Sequence, residues 1–288
     1  MAAPAIEVDG ARFAYGANEV VKGVSFQVAP GEVLGFLGPN GAGKSTTIRM
    51  LTGQLKPSAG EVRVLGRDVH KERSQVMGRV GVSFEEKNLY PMMTAEENLR
   101  FFARLYGVAH PDAHIRSLLD QVGLAARGRD RVAGYSKGMR QRLMIARALV
   151  HDPDVLLLDE PTDGLDPVSA EAVRDVIRAR VAAGNAVLLT THDMHEADEL
   201  SHRVAFLNAG TVHALDTPEN LKLAHGQRLV KVRVRDGEGI REESVPLDDA
   251  QAGARIQALV DGGDVVTIHT AEATLEDVFL GMTGRGLA

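Results

Sequence analysis

Two kinds of apolar pattern alternate along this chain. Residues 33–37 (Val-Leu-Gly-Phe-Leu), 155–158 (Val-Leu-Leu-Leu) and 186–190 (Ala-Val-Leu-Leu-Thr) are uninterrupted apolar runs of strand length. Runs without a polar face suit central parallel strands covered on both sides. Elsewhere the apolar positions recur at helical spacing. Val173, Val176, Ile177 and Val181 share one face, which ends at Gly184. Residues 94–106, 115–122 and 140–150 also read as helices, and Thr94 and Glu97 have the spacing of a capping box. Residues 6–30 read as short strands turning at Gly16, and residues 61–65 alternate like a strand. Strands alternating with helices predict an α/β domain with a mainly parallel sheet.

The pattern changes after Pro218. From residue 229 to 235 the chain alternates strictly, with Val230, Val232 and Val234 on one side and Lys231, Arg233 and Arg235 on the other. This reads as an edge strand with a solvated basic face. A helix at 250–259, a strand at 265–269 and a helix at 275–282 follow, the last with Thr274 and Asp277 placed to cap it. The expected organisation is a domain over residues 1–220, with a helical insertion at about 86–150, and a small α+β extension over 221–288.

Composition narrows the function classes. Cysteine is absent, which excludes disulfides and cysteine-based metal sites. The net charge of −6 argues against a general nucleic-acid partner. No apolar run reaches the roughly 20 residues that span a bilayer. The first five residues lack the basic and apolar regions of a secretion signal. A cytoplasmic chain is expected, and any membrane role would come through a partner.

The candidate chemistry begins at residues 38–46, Gly-Pro-Asn-Gly-Ala-Gly-Lys-Ser-Thr. Gly38, Gly43, Lys44 and Ser45 fill the fixed positions of a phosphate loop, between a predicted strand and a predicted helix. Backbone N–H groups cradle adjacent phosphates only where the chain turns tightly, which Gly38, Gly41 and Gly43 permit. Lys44 supplies a point charge for the β- and γ-phosphates, and Ser45 a hydroxyl for Mg²⁺. The candidate nucleotide-binding residues here are Gly38, Pro39, Asn40, Gly41, Ala42, Gly43, Lys44, Ser45 and Thr46. A second element is the pair Asp159-Glu160 at the end of an apolar strand, where α/β folds place ligands. Asp159 is the candidate Mg²⁺ ligand. Glu160 is the candidate catalytic residue that accepts a proton from, or orients, the attacking water.

The third element is Tyr135-Ser-Lys-Gly-Met-Arg-Gln-Arg142. The order of phosphate loop, helical insert, this motif, the Asp-Glu strand, Gly164-Leu-Asp-Pro167 and Thr191-His192 resembles the nucleotide-binding domain of ATP-binding cassette (ABC) proteins over roughly residues 6–220. The resemblance implies an ATPase that works as a head-to-tail dimer, with ATP and Mg²⁺ as cofactors. Each ATP lies between one subunit's phosphate loop and the other's signature motif. Tyr15 then matches the aromatic that stacks on adenine, with Phe13 the neighbouring alternative. Ser136 and Gly138 match signature positions that reach the partner's γ-phosphate in trans, Asp166 the aspartate that communicates across the dimer, and His192 the switch histidine at the γ-phosphate.

The sequence departs from the family pattern in two places. Tyr-Ser-Lys-Gly-Met stands where Leu-Ser-Gly-Gly-Gln is usual, so that Lys137 and Met139 replace a glycine and a glutamine. This variant and the ending from Ala273 to Gly284 are similar to ATPases of drug, antibiotic and polysaccharide exporters. Glu85 stands where the family places a glutamine that touches Mg²⁺. The expected function is therefore an exporter's ATP-hydrolysing subunit, peripheral on the inner face of the cell membrane through a separate multi-spanning permease. The expected second ATPase subunit is another copy of this chain rather than a paralogue. A non-transport ABC ATPase acting on ribosomes or DNA is the alternative. It would typically carry long coiled-coil insertions or two cassettes in one chain, and this sequence shows neither. A GTP switch would need an Asn-Lys-x-Asp motif, which is absent.

Overall fold

The computed structural model describes residues 3–84, 89–226, 229–236, 239–247, 249–271 and 273–283. The chain forms two compact units, residues 1–215 and 216–286.

The first unit is built on a six-stranded sheet. Its spatial order is Thr211–Asp216, Arg203–Asn208, Val33–Leu37, Ala186–Thr191, Val155–Asp159 and Val80–Ser83. The last five strands pair in parallel. The three apolar runs are its central strands, and every residue in them is buried. Alternate side chains explain why no polar face appears. Leu34, Phe36, Leu157 and Leu188 point into a cluster shared with the helix Lys44–Leu51 and a second sheet. Val33, Leu156, Leu158, Val187 and Leu189 point into the opposite cluster, against the helices Lys137–Ala148 and Pro167–Ala182. Each such side chain contributes about 1.5–3 kcal/mol by leaving water.

The second sheet is antiparallel, in the order Asn18–Val28, Ile6–Tyr15, Ala59–Val64 and Arg67–Asp68. The segment between the Val80–Ser83 and Val155–Asp159 strands is helical, with helices Ala95–Leu105, Asp112–Gln121 and Lys137–Ala148. Thr94 and Glu97 form the capping box. The second and third helices begin three residues earlier than their periodicity suggests. Periodicity also left three neighbours of the central strands unassigned: Val80–Ser83, Arg203–Asn208 and the short helix Met194–Leu200.

In the second unit the strands run Gly239–Pro246, Leu229–Asp236, Asp264–Ala271 in space. The basic alternating strand is therefore central, not an edge, which corrects the expectation. It hydrogen-bonds to neighbours on both sides. Its charges stay solvated because the sheet is covered on one face only. There the helix Ala252–Asp261 packs Ile256 and Leu259 against Val230, Val232 and Val234. On the open face Arg233 and Lys231 lie 3.9 Å from Glu242. Thr274 accepts from Asp277 N–H at 3.1 Å, and Asp277 accepts from Thr274 N–H at 2.9 Å, capping the helix Leu275–Thr283.

Candidate functional site

The phosphate loop leaves the strand Val33–Leu37 and enters the helix Lys44–Leu51. Gly38 runs against the neighbouring strand, and a Cβ there would overlap the carbonyl oxygen of Leu207. Gly43 adopts φ 106° and caps the helix without offering a side chain. The first amides of the helix are thus left to an incoming anion. Lys44, only 6% exposed, folds back to donate to the carbonyl of Gly38. Its ammonium also lies 3.2 Å from Glu160 Oε1. A cleft of about 190 Å³ opens here, lined by Pro39, Asn40, Gly41 and residues 43–46, with Val20 and Glu160.

Glu160 follows the last residue of the strand Val155–Asp159 and adopts φ 47°. A non-glycine residue in this region is uncommon, and the surrounding structure must hold it there. The adjacent strand does so. Glu160 N–H donates to both the carbonyl and the hydroxyl of Thr190, each at 3.1 Å. The same hydroxyl donates to Asp159 Oδ1 at 2.5 Å. Thr190 thereby fixes both acidic residues. Held so, Glu160 directs Oε1 at Lys44 and Oε2 at His192. His192 reaches that oxygen through its backbone N–H at 3.3 Å and through Nδ1 at 2.9 Å. A carboxylate accepts only, so Nδ1 carries the proton. Lys44, Glu160 and His192 thus meet at the C-terminal ends of three adjacent parallel strands, where open α/β sheets bind ligands.

Asp159 is 4% exposed. Its carboxylate and the hydroxyl of Ser45 are hard oxygen donors of the kind Mg²⁺ takes, so the donor set fits that ion. Glu85 lies outside the described residues.

Gly38, Ala42, Asp159 and His192 do not line this cleft, and neither do Tyr15, Ser136 and Gly138. Tyr15 is 45% exposed at the end of the strand Ile6–Tyr15, its ring edge-on to Phe13 at 4.9 Å. Phe13 packs partly into the core, leaving Tyr15 the freer ring for stacking. Ser136 caps the helix Lys137–Ala148, its Oγ accepting from Met139 N–H at 3.2 Å. Its hydroxyl proton remains able to donate. Gly138 sits where a Cβ would lie 2.9 Å from Ser169 Oγ and 3.6 Å from Asp166 Oδ2. Asp166 caps the helix Pro167–Ala182 by accepting from Ser169 N–H at 3.0 Å. Hydrogen bonds from Ser169 hold its carboxyl below the ordinary aspartate range.

Sequence reasoning missed Glu196. It is 2% exposed and accepts a hydrogen bond from the Thr162 hydroxyl. Burial pushes its carboxyl above the usual range, opposed by the hydroxyls of Thr162 and Thr191. It joins the loop after Glu160 to Thr191, the last residue of the strand before His192. One signal was readable: Glu196 shares the buried face of its helix with Ala197 and Leu200.

The sequence profile of the ABC transporter family matches residues 21–163. A fluoroquinolones export ATP-binding protein of Mycobacterium tuberculosis is 45% identical over 98% of this chain and 94% of its own length. The Nod factor export ATP-binding protein I of Paraburkholderia xenovorans is 40% identical, over 98% and 97%. The daunorubicin/doxorubicin resistance ATP-binding protein of Streptomyces peucetius is 39% identical, over 98% and 93%. A solved ATP-binding subunit of an ABC transporter superposes with a TM-score of 0.71 at 32% identity, over 77% of this chain and 93% of that one. With its phosphate loop, its Asp-Glu strand end and relatives similar over nearly their full length, this chain belongs to the ABC transporter family as an ATP-binding, ATP-hydrolysing member.

Proposed function

We propose that this chain is the ATP-hydrolysing subunit of an exporter. Two copies close head to tail around two ATP molecules, and a separate membrane-spanning permease holds the cargo. The observation that carries the chemistry is the single carboxylate of Glu160 shared between Lys44 and His192. Lys44 and the loop amides offset phosphate charge, which is most of what phosphoryl transfer requires. Mg²⁺, held by Ser45 and Asp159, would neutralise further charge on the β- and γ-phosphates when bound. An arriving γ-phosphate draws Lys44 away from Glu160. That frees Oε1 to accept a hydrogen bond from the attacking water, while His192 holds Oε2. Tyr15 stacks on the base. Ser136 and the amides behind it, Gly138 among them, donate to the partner's γ-phosphate, so closure completes each site.

The export reading draws on the relatives. Their names give chemically unrelated compounds: export of fluoroquinolones, export of Nod factor, and resistance to daunorubicin and doxorubicin. A shared ATPase with unrelated cargo is consistent with cargo recognition in the permease. No described helix is long and apolar enough to cross a membrane, so attachment to the inner membrane face would run through that permease. The helical insert exposes Phe101 and Leu105 on one helix and Tyr106 at its C-cap, with Tyr90 and Met92 before it. Apolar side chains grouped in this way suit a protein contact.

The test is affinity purification of the chain from detergent-solubilised membranes of its native host, followed by mass spectrometry. A multi-spanning protein in stoichiometric amount is the expected result. Ribosomal or DNA-repair factors without a permease would overturn the transport reading and leave the ATPase standing.

A further inference from the structure

Lys137, which replaces a glycine of the usual signature motif, does not extend freely into water. Its ammonium lies 3.2 Å from Asp163 Oδ2. It also occupies the space where a side chain of Gly164 would begin, and a Cβ built on Gly164 would lie 3.0 Å from Lys137 Cε. Gly164 adopts φ 61°, so the turn both favours glycine and leaves room for the lysine. One residue on, Gly138 lets the signature helix approach Ser169 and Asp166. The signature turn is therefore joined at two neighbouring points to the segment 163–169. That segment begins three residues after Glu160.

We propose that Lys137 is a positioning residue. It clamps the signature turn to the 163–164 turn of the same subunit, so that Ser136 moves with the loop leaving Glu160. A subunit's own hydrolytic site and the serine it presents to its partner are thereby mechanically joined. The inference rests on the head-to-tail dimer proposed above.

Geometry sets the size of the effect. Both side chains of the pair are 40–49% exposed, so the fold depends little on it, as for most exposed ion pairs. A small contribution confined to the closed, hydrolysing state still changes turnover, because about 1.4 kcal/mol is a factor of ten in rate. Losing Lys137 is expected to lower kcat about three-fold or more while the Tm stays nearly unchanged.

The test compares ATP hydrolysis by the purified full chain with that of Lys137→Glu, Asp163→Lys and the double variant, with Tm measured for each. Lys137→Met, which keeps the stem and removes the charge, serves as a second probe. The expected result is lower kcat with little change in KM for both charge reversals, partial loss for Lys137→Met, and recovery in the double variant. Recovery by exchanged charges is not expected of a residue that only fills space. Full turnover in both Lys137→Glu and Lys137→Met, or no recovery in the double variant, would overturn the clamp. The dimer is read separately, from wild-type activity per subunit against protein concentration. An increase supports it, and a flat dependence at nanomolar to micromolar protein removes it whatever the Lys137 variants do.

Discussion

Glu160→Gln separates two roles carried by one carboxylate. Glu160 partners Lys44 at 3.2 Å, with the two side chains 13% and 6% exposed. At that separation and an effective dielectric of about 20, the gross attraction is about 5 kcal/mol. Desolvation offsets much of it, and a charge-assisted hydrogen bond contributes about 1.5–3 kcal/mol net. The neutral amide oxygen of glutamine keeps about 1 kcal/mol of that. The Lys44 pairing is therefore weaker in the variant by about 0.5–2 kcal/mol. ATP has to displace the Lys44–Glu160 pairing in the wild type but only a weaker contact in the variant. Affinity for ATP should thus rise about 2- to 30-fold. Turnover should move the other way, by about 10²–10⁴-fold, because the variant loses the carboxylate that contacts His192 and that we propose orients the water. Calorimetric titration with ATP, phosphate release and thermal unfolding with and without nucleotide read the three effects on one preparation. An unchanged affinity together with an unchanged Tm of the protein alone would refute the claim that Glu160 competes with phosphate for Lys44. Retained hydrolysis would remove Glu160 from the chemistry.

Three further outcomes follow from the same geometry. Lys44→Ala should weaken ATP binding about 10- to 100-fold, the loss of a charge-assisted contact, and an equal Kd would contradict the phosphate-cradle argument. Gly38→Ala should destabilise the fold by about 1–3 kcal/mol in urea titration, since its Cβ would meet the Leu207 carbonyl, and an unchanged midpoint would show that the neighbouring strand yields. Burial raises the Glu196 carboxyl above its ordinary value of 4.5, so the folded state keeps a proton that the unfolded chain releases. Stability from this group is present below about pH 4.5 and is lost as pH rises through the raised value. Glu196→Gln removes that dependence, so its Tm relative to wild type should climb from pH 4.5 to 7, whereas a difference flat with pH would mean that Glu196 titrates normally.

The residues legible in advance have short-range causes. Glycines at positive φ, a lysine after a tight turn and a capping pair three residues apart are set by local sterics and hydrogen bonds. They are visible in windows of a few residues. The misjudged strand 229–236 shows the limit of such windows. Its alternation reports one solvated face, and that is equally true of an edge strand and of a central strand in a one-sided sheet. Glu196 shows another limit. A glutamate reads as polar surface until Thr162, 34 residues away, supplies the hydrogen bond that lets it be buried.

The sequence by itself determined that this chain binds a nucleotide, where the phosphate loop lies, and that the core strands are covered on both sides. Only the tertiary structure decided that Lys44, Glu160 and His192 share one carboxylate, and that Lys137 closes on Asp163. Those contacts join residues up to 116 positions apart in pairs and triples. They depend on which strands pair, here Val33–Leu37 beside Ala186–Thr191 beside Val155–Asp159. Strand order is settled by competition among apolar surfaces for burial across the whole chain, and a local pattern cannot express that competition.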